Sequence, residues 1–169
     1  IPQKFYRYID ESSYKRNEIM EYDHEHDSLF VHTLDLETRE LKRIDPYAVK
    51  DNIQDVLSGF YYLRTVDFSK LSVGELISID GFYKNKAFDF KVRYEGKDII
   101  KTKLGKIKAL KIAPVMPKNS VFDGENSIHL WLSDDENKIP LRVKTEMFIG
   151  SIKLDILTAE GLKNPLNKV

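Results

Sequence analysis

A mainly β fold, a curled antiparallel sheet running as a half-barrel-like meander with one packed α-helix, is predicted by three features of the sequence. Tyr and Phe supply nine residues each, and aromatic side chains suit strands better than helices. Short runs alternate apolar and polar residues, which turns one face of a strand to a core and the other to water. Turn residues punctuate these runs at hairpin spacing rather than at the spacing of strand–helix–strand units.

The first third reads as half-buried strands over residues 4–9, 14–26, 29–34 and 38–44, the last two joined by an acidic turn at Asp35 to Glu37. A helix is expected over residues 46–62. Asp45 is placed to cap it and Pro46 to occupy its first position. Val49, Ile53, Val56, Leu57 and Phe60 recur at helical spacing, giving one apolar face. Gly59 inside it costs about 1 kcal/mol against Ala, which implies close packing on a neighbour.

From Glu75 onward strands return. Residues 76–83 and 87–95 flank a short turn at Asn85-Lys86. Phe88, Phe90, Val92 and Tyr94 share one face, and Asp89, Lys91 and Arg93 the other. Residues 97–103 and 106–115 flank Leu104-Gly105, residues 128–133 and 139–148 flank 134–138, and 151–157 is the last strand. Residues 116–126 read as the longest loop of this half, and the tail beyond Gly161 reads as frayed. The whole, residues 1–169, reads as a single domain.

The charge balance excludes little and the missing cysteine excludes much. Lys and Arg total 27 against 27 acids, so no global field drives the chain to nucleic acid or membrane. Without Cys there is no disulfide, thiolate zinc site, cysteine nucleophile or iron–sulfur cluster. No apolar run approaches the ~20 residues of a membrane span. Ile1 stands where an initiator Met would, so the chain reads as a mature or trimmed product.

Catalytic and metal constellations are weak. His24-Glu25-His26 places two imidazoles on one strand face, but His32 falls on the other, which leaves no closed ligand set. Ser28 stands four after His24, so the metalloprotease motif is not met. The acidic run from Asp134 to Asn137 fails calcium-loop spacing. No nucleophile elbow, phosphate loop or dinucleotide fingerprint occurs. A carboxylate pair for glycoside hydrolysis cannot be chosen among 27 acids. No enzyme, cofactor or metal is predicted.

Two binding features stand out. Between Lys84 and Lys111 ten basic residues face three acids. Lys101 and Lys103 lie across a turn from Lys106 and Lys108, forming a basic patch suited to an anionic surface of lipid head groups or acidic polysaccharide. The competing reading is a solvated face whose lysines discourage strand pairing. No nucleic-acid motif accompanies the patch. The aromatic rows (Phe5, Tyr6, Tyr8; Phe82, Tyr83; Phe88, Phe90, Tyr94) either fill a core or line a concave pocket. Phe88, Phe90, Tyr94 and Trp131 are the candidate residues for a lipid-like or glycan ligand.

The run Trp131-Leu132-Ser133-Asp134-Asp135-Glu136-Asn137-Lys138-Ile139-Pro140-Leu141 is expected to be a hairpin clasp. Its turn residues dominate, Asn137 is the expected left-handed position, and Pro140 belongs at an edge or a bulge. Together with Gly150-Ser151-Ile152, Gly161-Leu162-Lys163, Leu57-Ser58, Tyr61-Tyr62-Leu63-Arg64 and Asp67, this run resembles the uncharacterised bacterial family DUF3108, from about residue 5 to 166. The resemblance implies a protein exported across the inner membrane of a Gram-negative cell, in the periplasm or on the periplasmic face of the outer membrane. It implies a half-barrel-type curled sheet with further strands upstream of residue 1. It carries no activity and no catalytic residue. Two functions follow as expectations. One is a non-catalytic envelope protein holding a lipid-like or glycan ligand on its concave sheet face. The other is an envelope assembly or scaffold protein acting through protein–protein contacts.

Overall fold

The computed structural model describes residues 1–115, 127–147 and 149–169. The loop expected over 116–126 and the end of the strand expected at Phe148 lie outside them. The described residues form two open antiparallel meanders and one short α-helix, as expected of a mainly β chain. The first sheet has the order β1-β2-β3-β4, with β1 Lys4–Glu11, β2 Tyr14–Asp23, β3 Ser28–Leu34 and β4 Leu41–Ala48. The second runs β10-β9-β8-β7-β6-β5. These are β5 Leu76–Tyr83, β6 Lys86–Thr102, β7 Gly105–Pro114, β8 Ile128–Ser133, β9 Pro140–Glu146 and β10 Ser151–Asp155. The chain divides into two compact units, Ile1–Tyr62 with Ile79–Asp89, and Leu63–Ser78 with Phe90–Val169.

In the first unit, alternate residues of β2 and β3 supply the core. Met20, Tyr22, Leu29, Val31, Ile53 and Phe82 are buried, with Phe5, Tyr47 and Val49 packed against them. Tyr47 meets Phe82 edge-on at 5.1 Å, a favourable aromatic geometry. One charge enters the same layer. Glu18 is fully buried between Arg7 and Arg16, which is how a carboxylate survives away from water.

The helix α1 is Val56–Tyr62, not residues 46–62. Asp45 and Pro46 lie in β4, where Pro46 opposes Phe30. β4 is an edge strand, so the donor that proline lacks is not needed there. The helix starts instead at Asp55. Its Oδ1 accepts from the N–H groups of Leu57 and Ser58 at 2.7 and 2.9 Å, while Ser58 Oγ accepts from Asp55 N–H at 2.9 Å. This reciprocal pair is a capping box with serine in the usual glutamate position. Gly59 is buried against Gln54 and Ile79, as its place in the helix implied. Of the expected apolar face, Val49 and Ile53 reach the core from the segment before the helix, while Val56, Leu57 and Phe60 within it are 48%, 60% and 38% exposed.

In the second unit β7 is flanked by strands on both sides, and Ala109, Leu110, Ile112 and Ala113 are all buried. On one face Ile100, Ile107, Ala109, Trp131 and Leu141 form a cluster, joined by Leu104, Ile139, Ile156 and Leu166. On the other, Leu110, Ile112, Leu130 and Leu132 are buried. β6 is one strand where two were expected, interrupted by a bulge between Tyr94 and Gly96. Gly96 carries φ +98°, a conformation that only glycine adopts without strain.

The clasp at 134–138 forms as expected, with one change. The left-handed residue is Lys138 at φ 45°, not Asn137. Asp135 Oδ1 closes the turn by accepting from Ser133 Oγ and from Asn137 N–H, each at 2.9 Å. Pro140 sits at a bulge, where the register slips between Trp131 and Leu132. Asn137 is released for another task. Its amide donates to Asn164 C=O at 2.8 Å and accepts from Asn164 N–H at 3.0 Å. The tail is therefore pinned rather than frayed. Lys108 N–H donates to Asn167 C=O at 3.0 Å, extending the ladder beside β7. Asn137→Ala removes two part-buried hydrogen bonds, each worth about 0.5–1.5 kcal/mol. Faster amide exchange at Asn164 and Lys108, with the β8–β9 amides unchanged, is the expected result.

Candidate functional site

The expected aromatic site is not one surface. Phe88 belongs to the first unit and is 45% exposed, while Phe90, Tyr94 and Trp131 belong to the second. Tyr94 opposes Ile112, which opposes Leu130, whereas Trp131 opposes Lys111. Cross-strand partners share a face and neighbours along a strand alternate. Tyr94 and Trp131 therefore lie on opposite faces of the sheet. Both are buried, at 4% and 7% exposure. Tyr94 packs on Phe68 with ring centroids 5.4 Å apart. This corrects the reading of the four as one lining: Tyr94 and Trp131 are core side chains.

Trp131 is the centre of a polar network that sequence reading missed. Its indole N–H donates to Asp98 at 2.8 Å. Lys111 and Arg142 lie over its ring at 5.5 and 5.9 Å from the centroid, within cation–π range. Arg142 holds Asp155 through two nitrogens, at 2.5 and 3.1 Å. Glu95 bridges Lys111 at 2.9 Å and His129 Nδ1 at 2.8 Å. The bulge makes that bridge possible, because Gly96 takes the place opposite Lys111 and Glu95 becomes the extra residue. Every charge here has a partner, so the network fits a structural clamp.

Burial works against the Glu95 charge, but Lys111 and His129 outweigh it and hold the carboxyl below its ordinary value. A lowered carboxylate stabilises the fold above its unfolded value of about 4.3 and loses that contribution as pH falls through the folded value. Glu95→Gln should therefore be less stable than the natural chain at pH 7. The gap in melting temperature should close below pH 4, a trend that calorimetry over pH 3–7 would read.

The histidine pair is also dispersed. Residues 24–27 form a turn rather than the strand expected. His24 Nε2 contacts Pro2 C=O at 2.6 Å, and His26 Nδ1 pairs with Asp23 at 2.8 Å. His32 opposes Ile19 and pairs with Glu21 at 3.1 Å.

In the basic patch the turn falls at Lys103-Leu104 rather than at the expected Leu104-Gly105, so Lys103 leaves the strand while Lys101, Lys106 and Lys108 share one face. The two-residue turn Lys103-Leu104 locks the register of β6 on β7, so that Lys101 opposes Lys106 and Ile99 opposes Lys108. These four share a face, with Lys97 two positions further on. Lys101, Lys103, Lys106 and Lys108 are all exposed. No ion pair involves any of the four among the described residues. Lys97 differs, pairing with Asp134 at 2.8 Å. Ile99 stands among the lysines at 56% exposure. Beside them lies an open depression of about 500 Å³ lined by Lys97, Asp98, Ile99, Lys108 and Asp134. Lys97, Ile99 and Asp134 were missed from sequence, although counting outward from the 103–104 turn finds the first two.

The model of a family described as a protein of unknown function, DUF3108, matches residues 1–157 of the chain. No curated protein and no solved structure matches it.

Proposed function

We propose that this chain, which belongs to the DUF3108 family, is a non-catalytic envelope protein of the periplasm or of the periplasmic face of the outer membrane that rests on anionic lipid head groups through the lysine face of β6 and β7. The observation that carries the reading is a set of four exposed lysines that make no ion pair among the described residues, two of them directly opposite each other, beside an exposed isoleucine. Like charges directly opposite on a sheet are destabilising, so the arrangement asks for an external anion. Lipid is favoured over acidic polysaccharide because Ile99 offers apolar surface at the centre of the charge. Lysines can keep their ammonium groups among phosphates while an apolar side chain enters the boundary beneath them. Among the described residues no helix is long and apolar enough to cross a membrane, so the contact is read as peripheral.

The test is co-sedimentation of the full chain with vesicles. Binding to phosphatidylglycerol vesicles, absent with phosphatidylcholine and weakened by salt, supports the reading. Equal binding to both, or none at low salt, overturns it. Binding to a soluble acidic polysaccharide without binding to vesicles would move the proposal to that ligand.

A further inference from the structure

The edge of the second unit carries a second, independent surface. β10 has one neighbour, β9, and its other edge has no partner strand among the described residues. Two backbone bonds show which groups that edge presents. Met147 N–H donates to Gly150 C=O at 3.1 Å, and Ile156 N–H donates to Leu141 C=O at 2.9 Å. In an antiparallel ladder a residue turns its N–H and C=O to the same side, and alternate residues turn them to opposite sides. Ile152 and Leu154 therefore bond toward β9. Ser151, Lys153 and Asp155 aim their donors and acceptors outward. The strand's apolar side chains are exposed as well, Ile152 at 51% and Leu154 at 64%. Such an edge is a template for another strand.

We propose that β10 pairs with β10 of a second copy of this chain, antiparallel about a two-fold axis through Leu154. Charge selects both the partner and the register. Outward-facing residues must oppose outward-facing residues for the edges to bond, which places the axis at Ile152, Lys153 or Leu154. An axis at Lys153 sets two lysines directly opposite. An axis at Ile152 sets Lys153 against Ser151 and Asp155 against Ile149. An axis at Leu154 sets each Lys153 against Asp155 of the other copy and stacks Leu154 on Leu154. Opposite charges stabilise directly opposed positions and like charges destabilise them. Arg142 on β9 and Lys153 on β10 itself already pair with Asp155, so its carboxylate is ordered before the second copy arrives, and that copy's Lys153 extends the network. The contact is isologous and closes as a dimer rather than growing into a fibre.

Sedimentation equilibrium of the full chain, with no lipid present, tests this separately from the lysine face. The expected particle is twice the 19.7 kDa chain. Lys153→Pro should return the monomer, because the Lys153 N–H faces outward and bonds nothing on β9; its circular dichroism should not change. The chain has no cysteine, which allows a second measurement. Leu154→Cys should form a disulfide-linked dimer on mild oxidation, since Cα atoms of a non-hydrogen-bonded pair lie about 4.5 Å apart. Ile152→Cys should not. A monomer up to high micromolar concentration overturns the proposal, as does a dimer that survives Lys153→Pro or cross-links through Ile152→Cys in place of Leu154→Cys.

Discussion

Trp131→Ala is expected to destabilise the second unit by about 3–5 kcal/mol, the range for truncating a buried tryptophan. The residue is 7% exposed and packs in one cluster with Ile100, Ile107, Ala109 and Leu141. Its removal leaves a cavity under Lys111 and Arg142, whose charged groups lie over the ring, and frees Asp98 from the indole N–H. Trp131→Phe separates these effects. It keeps an aromatic face for both cations and loses the hydrogen bond, so the expected cost is smaller, about 1–2 kcal/mol. Denaturation followed by circular dichroism measures both variants. In the natural chain the same transition can be read by fluorescence, because Trp131 is the single tryptophan. A cost under 1 kcal/mol for Trp131→Ala would show that the residue is not part of the core and would reopen it as a ligand contact.

What could be read from sequence was what local chemistry decides. The strands of β5, the hairpin clasp and the bulge at Pro140 are set by alternation and by turn residues only a few positions apart. The helix shows where local signals compete. Asp45-Pro46 and Asp55 with Ser58 are both plausible starts, and the apolar spacing from Val49 to Phe60 fits the longer helix. Pairing of β4 with β3 claims the first start, since seven residues of β4 gain a ladder partner there. The reciprocal capping pair then fixes the second. Tertiary pairing overrides a weak propensity, as is usual.

The candidate sites divide on the same line. The lysine face follows from one two-residue turn, because a tight hairpin dictates every cross-strand pair outward from it. The clamp around Trp131 does not. It needs the registers of β7, β8 and β9 together, and a bulge at Glu95 that moves one carboxylate onto the Lys111 face. The same bulge separates Tyr94 from Trp131, so two members of the candidate ligand set lie on opposite faces of the sheet.

Reversing the lysine face with Lys101→Glu, Lys106→Glu and Lys108→Glu together is expected to abolish binding to phosphatidylglycerol vesicles. Each lysine near an anionic surface contributes about 1 kcal/mol, so losing three weakens binding by at least about 100-fold, and the new carboxylates add repulsion. The single variant Lys101→Glu carries the sharper argument. Lys101 stands directly opposite Lys106, so a glutamate there replaces a repulsive cross-strand pair with an attractive one. Its fold should gain about 0.2–1 kcal/mol while its vesicle binding falls. A face shaped only for solubility has no reason to keep the less stable pair, and one that merely discourages strand pairing is served by either sign of charge. Stability and binding moving in opposite directions at one residue is therefore the signature of a face kept positive for a partner. If Lys101→Glu leaves vesicle binding unchanged, the lysines are solvated edge residues and the lipid reading fails.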